Sequence, residues 1–339
     1  MPDIQIAVVI VSYRTALLAI ECLRSVQQER ASNGLLIRAV VVDNASGDAP
    51  FIDEAVRENQ WETWVTVLTA PRNGGFAYGN NLAFQHILRR GRVDYFHVLN
   101  PDTIVRPGAI AALANFLQSN HEAGIAGSSF ENLDGSIWPI AFRFPTLLSE
   151  FESAVQFGPV SRLLRGWVVA VSMTQERQRI DWVAGASMMI RCDVVEQLRG
   201  FDEGYFLYYE ETDLCLRALR AGFATWYVPE SRVMHIAGQS TGVTVRDGKP
   251  QRLPAYWFES RKRFFVVSHG VPYSAAADMF ALLGHALGFV RRRLGGRARQ
   301  PYWAFDLARH STLNPRNSVP DRFSSALLSE VQLNDASLL

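Results

Sequence analysis

The feature that most constrains the fold is a series of unbroken apolar runs of strand length, separated by stretches with helical spacing. Residues 4–12 (IQIAVVIVS), 35–43 (LLIRAVVVD) and 93–99 (VDYFHVL) are three such runs. Unbroken rather than alternating hydrophobicity is typical of strands covered on both faces. Because strand and helix patterns alternate over about the first 120 residues, we predict an α/β fold with a doubly wound, Rossmann-like, mostly parallel central sheet and right-handed crossovers.

Beyond residue 127 the pattern is less regular. It predicts, in order, a hairpin turn at 132–136, an amphipathic helical insertion over 147–166, a strand over 180–190, a loop and helix over 201–222, short strands at 224–228 and 233–236, and a helix over 274–293. The pattern from residue 299 onward is polar and broken. We therefore expect helices, and then a polar tail, at the C-terminal end.

Charge and cysteine content restrict the location and the partners. The formal net charge of +1 gives no reason to expect a nucleic acid partner. Cys22, Cys192 and Cys215 are an odd number without paired spacing, which is typical of reduced, buried thiols in a cytosolic protein. The first residues lack the pattern of a signal peptide, and no run of 18 uncharged apolar residues is present. We expect a cytoplasmic chain without a membrane-spanning helix.

The apolar run at 93–99 stops at Asn100-Pro101-Asp102, because Pro101 cannot continue a strand. In open α/β sheets, ligands bind just beyond the carboxyl ends of the strands. Asp102 would lie at such an edge, where a carboxylate suits a hard divalent cation that also contacts phosphate oxygens. The alternative is an Asx or proline turn between strand and helix.

Two further strand ends fall at the same predicted edge. The first strand ends at Ser12, before Tyr13 and Arg14, and the second ends at Asp43, before Asn44. The Asp43 carboxylate could accept the imide N–H of uracil or thymine, while backbone groups near Ser12 meet the carbonyls of the base. Equally, Asp43 could begin an Asx turn or cap the next helix. The sequence weights these two interpretations alike.

Residues 72–81 (RNGGFAYGNN) form a glycine-rich loop before a predicted helix. The loop resembles a phosphate cradle, and Arg72 adds a positive charge where a nucleotide would lie. It lacks the Gly-x-Gly-x-x-Gly spacing of dinucleotide folds and the Gly-Lys-Ser/Thr of a P-loop. The glycines could simply permit a tight turn, with Asn80 or Asn81 as the helix cap.

An acidic cluster opens the helix predicted within 201–222. Glu210, Glu211 and Asp213 lie in its first turn, where the helix dipole favours carboxylates, and Asp213 can pair with Arg217. A second interpretation rests on the surrounding aromatic residues, because apolar surroundings raise a carboxyl pKa toward that of a general base. His235 follows a short strand and is either structural or a ligand for a divalent metal.

Seven motifs, in order, together carry a specific resemblance: VVIVSYR, VVVDNAS, NGGFAYGNN, VLNPD, DWVAGASMMI, GFDEGYFLYYEETDLCLR and HIAGQS. This combination resembles family 2 glycosyltransferases, and most closely the bacterial rhamnosyltransferase-like branch that builds O-antigen, cell-wall linker and related surface glycans. The resemblance covers residues from about 6 to 270. It implies a GT-A fold, a nucleotide-sugar donor, a divalent cation (Mg²⁺ or Mn²⁺) and inversion at the anomeric carbon.

The resemblance also implies a role for individual residues. Asp43 would contact the pyrimidine base, Asp102 would bind the metal with His235 as its second protein ligand, and Glu211 would be the catalytic base. The remaining nucleotide-binding residues would be Ser12, Tyr13, Arg14, Asn44, Arg72, Asn73, Gly74, Gly75, Asn80 and Asn100, and the acceptor-binding residues Glu210, Trp182 and Gly185. The acidic pair is Glu-Glu here, whereas relatives usually have Glu-Asp or Asp-Asp, so the base has a longer arm.

We therefore expect a GT-A catalytic domain over 1–250, with a nucleotide-binding half at about 1–127 and an acceptor-binding, catalytic half at about 128–250. C-terminal helices would follow over 251–298 and a polar tail over 299–339. The expected reaction moves a sugar, rhamnose by resemblance, from a dTDP- or UDP-linked donor to a glycan or lipid-linked acceptor. The alternatives are a nucleotidyltransferase, which would release pyrophosphate, and a non-catalytic glycan- or nucleotide-binding module.

The C-terminal helix has two interpretations. Residues 279–290 (MFALLGHALGFV) are mostly apolar and run into Arg291-Arg292-Arg293, but they are too few to span a bilayer. An apolar helix with trailing basic residues can lie on an anionic membrane surface, here the inner face of the plasma membrane. Alternatively the helix packs on the catalytic domain or on the second copy of a homodimer.

Overall fold

The computed structural model describes residues 4–32, 35–132, 135–138, 141–171, 174–235, 252–294, 302–321 and 323–325, and a ten-stranded sheet lies at the centre of that part of the chain. In chain order the elements are β1 (Gln5–Ser12), α1 (Ala16–Ser32), β2 (Leu36–Asp43), α2 (Ala49–Glu58), β3 (Val65–Thr69), α3 (Gly75–Leu88), β4 (Tyr95–Leu99), β5 (Thr103–Val105), α4 (Ala109–Ser119), β6 (Ala123–Glu131), β7 (Ile137–Trp138), β8 (Ala141–Phe142), α5 (Leu147–Val155), α6 (Gly158–Leu163), β9 (Gln178–Ile180), β10 (Trp182–Val183), β11 (Ser187–Arg191), α7 (Cys192–Leu198), α8 (Glu210–Arg220), β12 (Ala224–His235), α9 (Ala255–His269), α10 (Val271–Leu294) and α11 (Tyr302–His310).

One half of the sheet consists of four parallel strands in the order β3-β2-β1-β4. The interior residues of β1, from Ile6 to Ile10, are all buried, and both α1 and α3 pack against this strand. This burial explains the unbroken apolar run. The predicted doubly wound arrangement is confirmed. Ser12 lies directly opposite Asp43 in the register of β1 and β2, so both strands end at the same edge.

The other half of the sheet is mixed. β11 runs antiparallel between β4 and β6, β6 pairs parallel with β12, and β5 is antiparallel to β12. Because β6 crosses residue 127, the two expected halves share one sheet and one hydrophobic core. The strands predicted at 224–228 and 233–236 form one strand, β12, with an irregular register near its middle. Residue 236 lies outside the described residues.

Two other predicted elements are divided in the structure. The insertion over 147–166 is two helices, because Gln156 takes a left-handed conformation (φ 49°) and Pro159 lies at the start of α6. The strand predicted over 180–190 is split into β9, β10 and β11, since β10 leaves the main sheet to pair with β8. β6 and β7 pair antiparallel on either side of the hairpin turn predicted at 132–136, of which residues 133 and 134 lie outside the described residues.

The C-terminal helices are joined to the rest of the protein by a buried ionic network. The guanidinium of Arg261 on α9 donates to Glu150 on α5 (2.8 Å) and to Asp278 on α10 (2.6 Å). Arg261 is 1% exposed. Removing one partner of such a buried ion pair strongly destabilises the folded protein, because the other charge stays buried without a partner. The network therefore fixes α9, α5 and α10 relative to one another.

One face of α10 packs closely on α5. A Cβ at Gly284 would lie 2.5 Å from the carbonyl oxygen of Phe151, and one at Gly288 would lie 2.7 Å from that of Val155. Only glycine permits so close an approach of two helix backbones. Within the described residues α10 is the one helix that is long and apolar enough to cross a membrane by length and composition alone, and the expectation that no helix does so stays a prediction. The buried carboxylate of Asp278 interrupts its apolar run.

Candidate active site

The residues expected around the nucleotide gather at the carboxyl edge of the parallel strands. Ser12 and Asp43 end β1 and β2 in register, and Asn100 directly follows β4, which pairs with β1. Ser12 and Asp43 are buried. Tyr13 is exposed, and the guanidinium of Arg14 lies 5.2 Å from the centre of its ring. The structure thus brings five of the expected residues to one edge of the sheet.

Asp43 makes hydrogen bonds within its own turn. Its carboxylate accepts the backbone N–H groups of Ser46 (2.9 Å), Gly47 (3.1 Å) and Ala49 (3.1 Å), together with the Ser46 hydroxyl. Burial raises the pKa of Asp43, but these hydrogen bonds outweigh burial and hold the pKa below its ordinary value. The arrangement matches the alternative in which Asp43 forms an Asx turn and caps α2. Its contact with a base stays a prediction.

The loop before α3 is held by Asn44. The Asn44 side-chain amide donates to Asn73 Oδ1 (3.0 Å) and to the carbonyl of Gly75 (3.0 Å), and its carbonyl oxygen accepts the N–H of Gly74 (3.4 Å). Arg72 is exposed, with its guanidinium 4.6 Å from the ring centre of Tyr78. Asn44, Asn73, Gly74 and Gly75 therefore form one hydrogen-bonded unit at the edge of the sheet.

Neither asparagine expected to cap α3 does so, because the helix begins at Gly75 with Gly74 as its N-cap. Asn80 is buried inside the helix, where its amide donates to the carbonyl of Phe76 (2.9 Å). Asn81 exchanges hydrogen bonds of 2.9 Å with the backbone of Phe201, far along the chain. It thereby joins α3 to the loop that leads to the acidic pair.

Asp102 and His235 come together through strand pairing. β5 and β12 run antiparallel with Thr103 opposite His235, which places Asp102 beside the imidazole. The Nε2 atom of His235 lies 3.3 Å from Oδ1 of Asp102, a buried oxygen that accepts no hydrogen bond from the described residues. A carboxylate oxygen and an imidazole nitrogen are a suitable donor pair for a divalent cation. The two residues therefore fit the expected metal.

The described residues contain no group of three or more His, Cys, Asp or Glu side chains that could hold a metal ion. Asp102 and His235 would therefore supply two ligands, and the other coordination positions would be left to phosphate oxygens and water. That is typical of Mg²⁺ and similar ions in phosphate sites, which usually keep several waters and bind one or two carboxylates plus substrate phosphates.

The two glutamates at the start of α8 have different surroundings. Glu210 is 3% exposed, whereas Glu211 is half-buried and lines a cavity. Burial, and then the charge of Glu211, raise the pKa of Glu210 well above its ordinary value. Burial raises the pKa of Glu211 to about 7, although a hydrogen bond from the backbone N–H of Gly185 opposes the rise. Of these two glutamates, Glu211 is the one that combines access to the cavity with a pKa near neutrality.

Gly185 and Trp182 both lie beside Glu211. A Cβ at Gly185 would meet the ring of Phe76 at 3.0 Å and the Cβ of Glu211 at 4.0 Å. Trp182 lines the same cavity as Glu211, and its indole N–H donates to the carbonyl of Arg143 (2.9 Å). The residues expected to bind the acceptor are therefore grouped around the expected base.

The backbone before the acidic pair is held in an unusual conformation. Tyr208 (φ 70°) and Tyr209 (φ 68°) both take left-handed conformations, which bulky residues rarely adopt. Such residues cost roughly 1–3 kcal/mol each and cluster at active sites. Both line the cavity, and α8 begins with the next residue, Glu210. The strained turn therefore sets the position of the acidic pair.

A model of the family described as "Glycosyltransferase like family 2" matches residues 2–249. The chain belongs to this family. This family 2 protein is 35% identical over 154 residues to the N-acetylglucosaminyl-diphospho-decaprenol L-rhamnosyltransferase of Mycobacterium tuberculosis (44% of this chain, 49% of the relative). It is 29% identical over 166 residues to rhamnosyltransferase WbbL of Escherichia coli K12 (48% of this chain, 61% of WbbL). The family 2 chain thus spans about half the length of the curated relatives it matches.

Solved structures show the same fold. GalNAc-T7 with UDP, GalNAc and Mn²⁺ aligns with a TM-score of 0.56 at 15% identity, over 94% of this chain and 60% of the other. The mannosyltransferase PcManGT of Pyrobaculum calidifontis, with GDP-Man and Mn²⁺, aligns with a TM-score of 0.51 at 15% identity, over 91% and 85%. These likenesses establish a GT-A fold for this family 2 protein, as the motifs predicted.

Some residues of the site were not identified from the sequence. Trp257 on α9 and Trp303 on α11 line the cavity beside Glu211. The aromatic and basic run at 256–269 was visible in the sequence. No local pattern, however, relates it to a residue more than 40 positions earlier, because that relation depends on how the C-terminal helices pack.

Proposed function

We propose that this protein moves a sugar from a nucleoside-diphosphate donor to a hydroxyl group of a glycan or lipid-linked glycan, with inversion at the anomeric carbon. The observation that carries the proposal is Glu211, a half-buried carboxylate of raised pKa that lines a cavity. The relatives named as rhamnosyltransferases support rhamnose as the sugar. A dTDP- or UDP-linked donor follows from the resemblance of the sequence motifs, by which Asp43 would contact a pyrimidine base.

The mechanism assigns one task to each side chain. Glu211, oriented by the N–H of Gly185, takes the proton of the acceptor hydroxyl as its oxygen attacks the anomeric carbon from the face opposite the diphosphate. This displacement inverts the configuration and needs no covalent sugar–enzyme intermediate. Asp102 and His235 would hold Mg²⁺ or Mn²⁺, which when bound neutralises charge on the leaving diphosphate.

Donor hydrolysis tests the proposal without a known acceptor. The chain is incubated with dTDP-, UDP- and GDP-linked sugars and Mg²⁺ or Mn²⁺, and the products are separated. We expect slow release of nucleoside diphosphate from a pyrimidine donor. Release of pyrophosphate in a parallel incubation with nucleoside triphosphates and sugar 1-phosphates would instead identify a nucleotidyltransferase. Donor binding without any release would identify a non-catalytic binding module.

We also propose that the protein is cytoplasmic and contacts the inner face of the plasma membrane through α10. Met279, Leu283, Leu287 and Val290 are exposed and recur at a spacing that places them on one face of the helix. The last turn of the helix is basic, with three consecutive arginines. An exposed apolar face that ends in basic residues complements an anionic lipid surface. Pairing of two copies through this face is the alternative.

A further inference from the structure

A cavity of about 250 Å³ lies between the catalytic half and the C-terminal helices. Its walls include Trp182 on β10, Trp257 on α9 and Trp303 on α11, together with Glu211. Three of the eight tryptophans of the chain therefore line one cavity. Trp257 and Trp303 belong to the C-terminal helices, to which the proposed function assigns no part in catalysis.

The three indole rings are held in place before any ligand arrives. Trp182 stacks on Phe142 with 4.2 Å between ring centres, and Trp303 stacks on His285 with 5.5 Å. Trp257 packs edge-on against the next residue of α9, at 5.1 Å and 81°. Rigid walls lower the entropic cost of ordering a site when it binds its ligand.

Polar groups accompany the aromatic walls. Glu150 lines the cavity, and Arg261 holds its carboxylate at 2.8 Å. Ser149, Thr212 and Glu211 also contribute to the lining. Aromatic walls with a small number of placed polar groups are typical of small-molecule sites.

A pyranose ring matches this lining better than a lipid chain does. One face of the sugar carries C–H groups that pack on an indole, and its edge carries hydroxyls that can bond to carboxylates and hydroxyls. A prenyl chain would instead bury the Glu211 carboxylate against hydrocarbon, which is costly for a charged group. The chemistry of the cavity therefore favours a saccharide.

We propose that Trp257 and Trp303 form the acceptor-sugar subsite, in which one pyranose ring of the acceptor packs on indole and presents a hydroxyl to Glu211. The inference rests on the proposed function and names the ligand class of the same site. The cavity volume of about 250 Å³ is below the roughly 300–1,000 Å³ of most small-molecule sites, which suits a single sugar ring. The two tryptophans then determine acceptor specificity.

The test uses the chain labelled with 5-fluorotryptophan, whose fluorine signals are assigned from single Trp→Phe variants. Methyl pyranosides of glucose, galactose, mannose, rhamnose and N-acetylglucosamine are titrated with Mg²⁺ and UDP or dTDP present. We expect at least one glycoside to shift the signals of Trp182, Trp257 and Trp303. The signal of Trp167, an exposed residue outside the lining, should not move.

Affinity measurements complete the test. Trp257→Leu and Trp303→Leu should weaken glycoside binding by about tenfold, the scale expected for one lost aromatic contact. Trp257→Phe and Trp303→Phe should keep most of the binding, and the control Trp167→Leu should keep all of it. The control Trp167→Leu should also hydrolyse the donor at the wild-type rate, and thermal unfolding of all five variants checks that they fold.

The outcomes separate this inference from the proposed function. Wild-type protein that hydrolyses no nucleotide sugar counts against the proposed function alone. Signals that do not move, or glycoside affinity that is the same in the Leu variants, overturns the subsite even when hydrolysis is normal. Binding of farnesyl phosphate, without glycoside binding, at the same three tryptophans also overturns it and assigns the cavity to a lipid. If the Leu variants do not fold, the wild-type fluorine spectra decide.

Discussion

Gly75 and Phe206 are in direct backbone contact. A Cβ at Gly75 would lie 1.8 Å from the carbonyl oxygen of Phe206, and the N–H of Phe76 donates to that oxygen (3.0 Å). Gly75 begins α3 at the nucleotide edge, and Phe206 belongs to the loop that leads to Glu210 and Glu211. The two parts of the candidate site are therefore joined by main chain, with no room for a side chain between them.

Gly75→Ala should consequently destabilise the protein and weaken nucleotide binding. Gly108→Ala is the matched control, because Gly108 has nearly the same φ (+85° against +84°) but nothing within 4 Å of its Cβ position. The control should lose only the roughly 1–2 kcal/mol of stability that an alanine costs when it is held in the left-handed conformation. Urea unfolding and titration with UDP measure both effects. Equal losses in the two variants would argue against the backbone contact.

Removal of either expected metal ligand should abolish sugar transfer. Asp102→Asn and His235→Ala should weaken donor binding in Mg²⁺ by at least the roughly 10–100-fold that is typical even for outer partners of metal ligands. EDTA should reproduce the loss in the wild type, and His121→Ala, at an exposed histidine, should have no effect. Isothermal titration with the donor and a transfer assay measure the outcome. Full activity in EDTA would rule out the metal site.

The parallel half of the fold was predictable because its signals are local. Each buried strand reads as one apolar run, and each ends at a residue that breaks the run, as Pro101 does after β4. Contacts between residues far apart in the sequence could not be predicted from such local signals. Thr103 meets His235 and Glu211 meets Gly185 only because particular strands and loops are neighbours in the finished sheet. The family motifs, rather than periodicity, grouped these residues.

Asp43 shows the limit of a local pattern. An aspartate at the end of a strand can begin a turn or bind a ligand, and the same residue type serves both. The choice depends on where the next backbone N–H groups point, and in the structure Ser46, Gly47 and Ala49 point at the carboxylate. The sequence contains no information about that orientation beyond the residue types themselves.

Glu211→Gln should retain nucleotide-sugar binding but lose turnover by the ~10²–10⁴-fold expected when a general base is removed. Glu210→Gln is the control on the same turn. Glu210 is buried and outside the cavity lining, so its substitution should act on stability or on the acceptor KM. Glu211→Asp should keep partial activity, because it retains a carboxylate at the same position on a shorter side chain. Steady-state kinetics measure all three variants. If Glu211→Gln turns over normally and Glu210→Gln is inactive, Glu210 is the catalytic base and Glu211 is not.

The pH profile should report Glu211. Since burial raises its pKa to about 7 and a base acts deprotonated, kcat/KM should fall about tenfold per pH unit below that value and level off above it. A profile that is flat through pH 7 would exclude Glu211 as the base.

The stability of the folded protein should change with pH in the opposite sense to kcat/KM. The pKa of Glu211 in the folded state lies above its ordinary value of 4.5, so the folded state holds the proton more tightly than the unfolded state. The resulting stabilisation is complete below pH 4.5 and is lost as the pH rises through about 7. Glu211→Gln does not titrate, and at pH 8 it should therefore be at least as stable as the wild type in thermal unfolding. A clear loss of stability there would mean that the carboxylate has a structural role.

The exposed face of α10 should bind anionic liposomes. Leu283 (54% exposed) and Leu287 (49% exposed) lie on that face, and each arginine near an anionic surface adds about 1 kcal/mol. Flotation should be strong at low salt and weak at high salt, because salt screens the charges. The double variant Leu283→Glu/Leu287→Glu should not float, whereas Leu17→Glu, at an exposed leucine of α1 (68%), should float like the wild type.

Sedimentation velocity on the same samples tests the alternative, in which the face pairs with a second copy of the chain. That alternative holds if the wild type is a dimer that does not float and the double variant is a monomer.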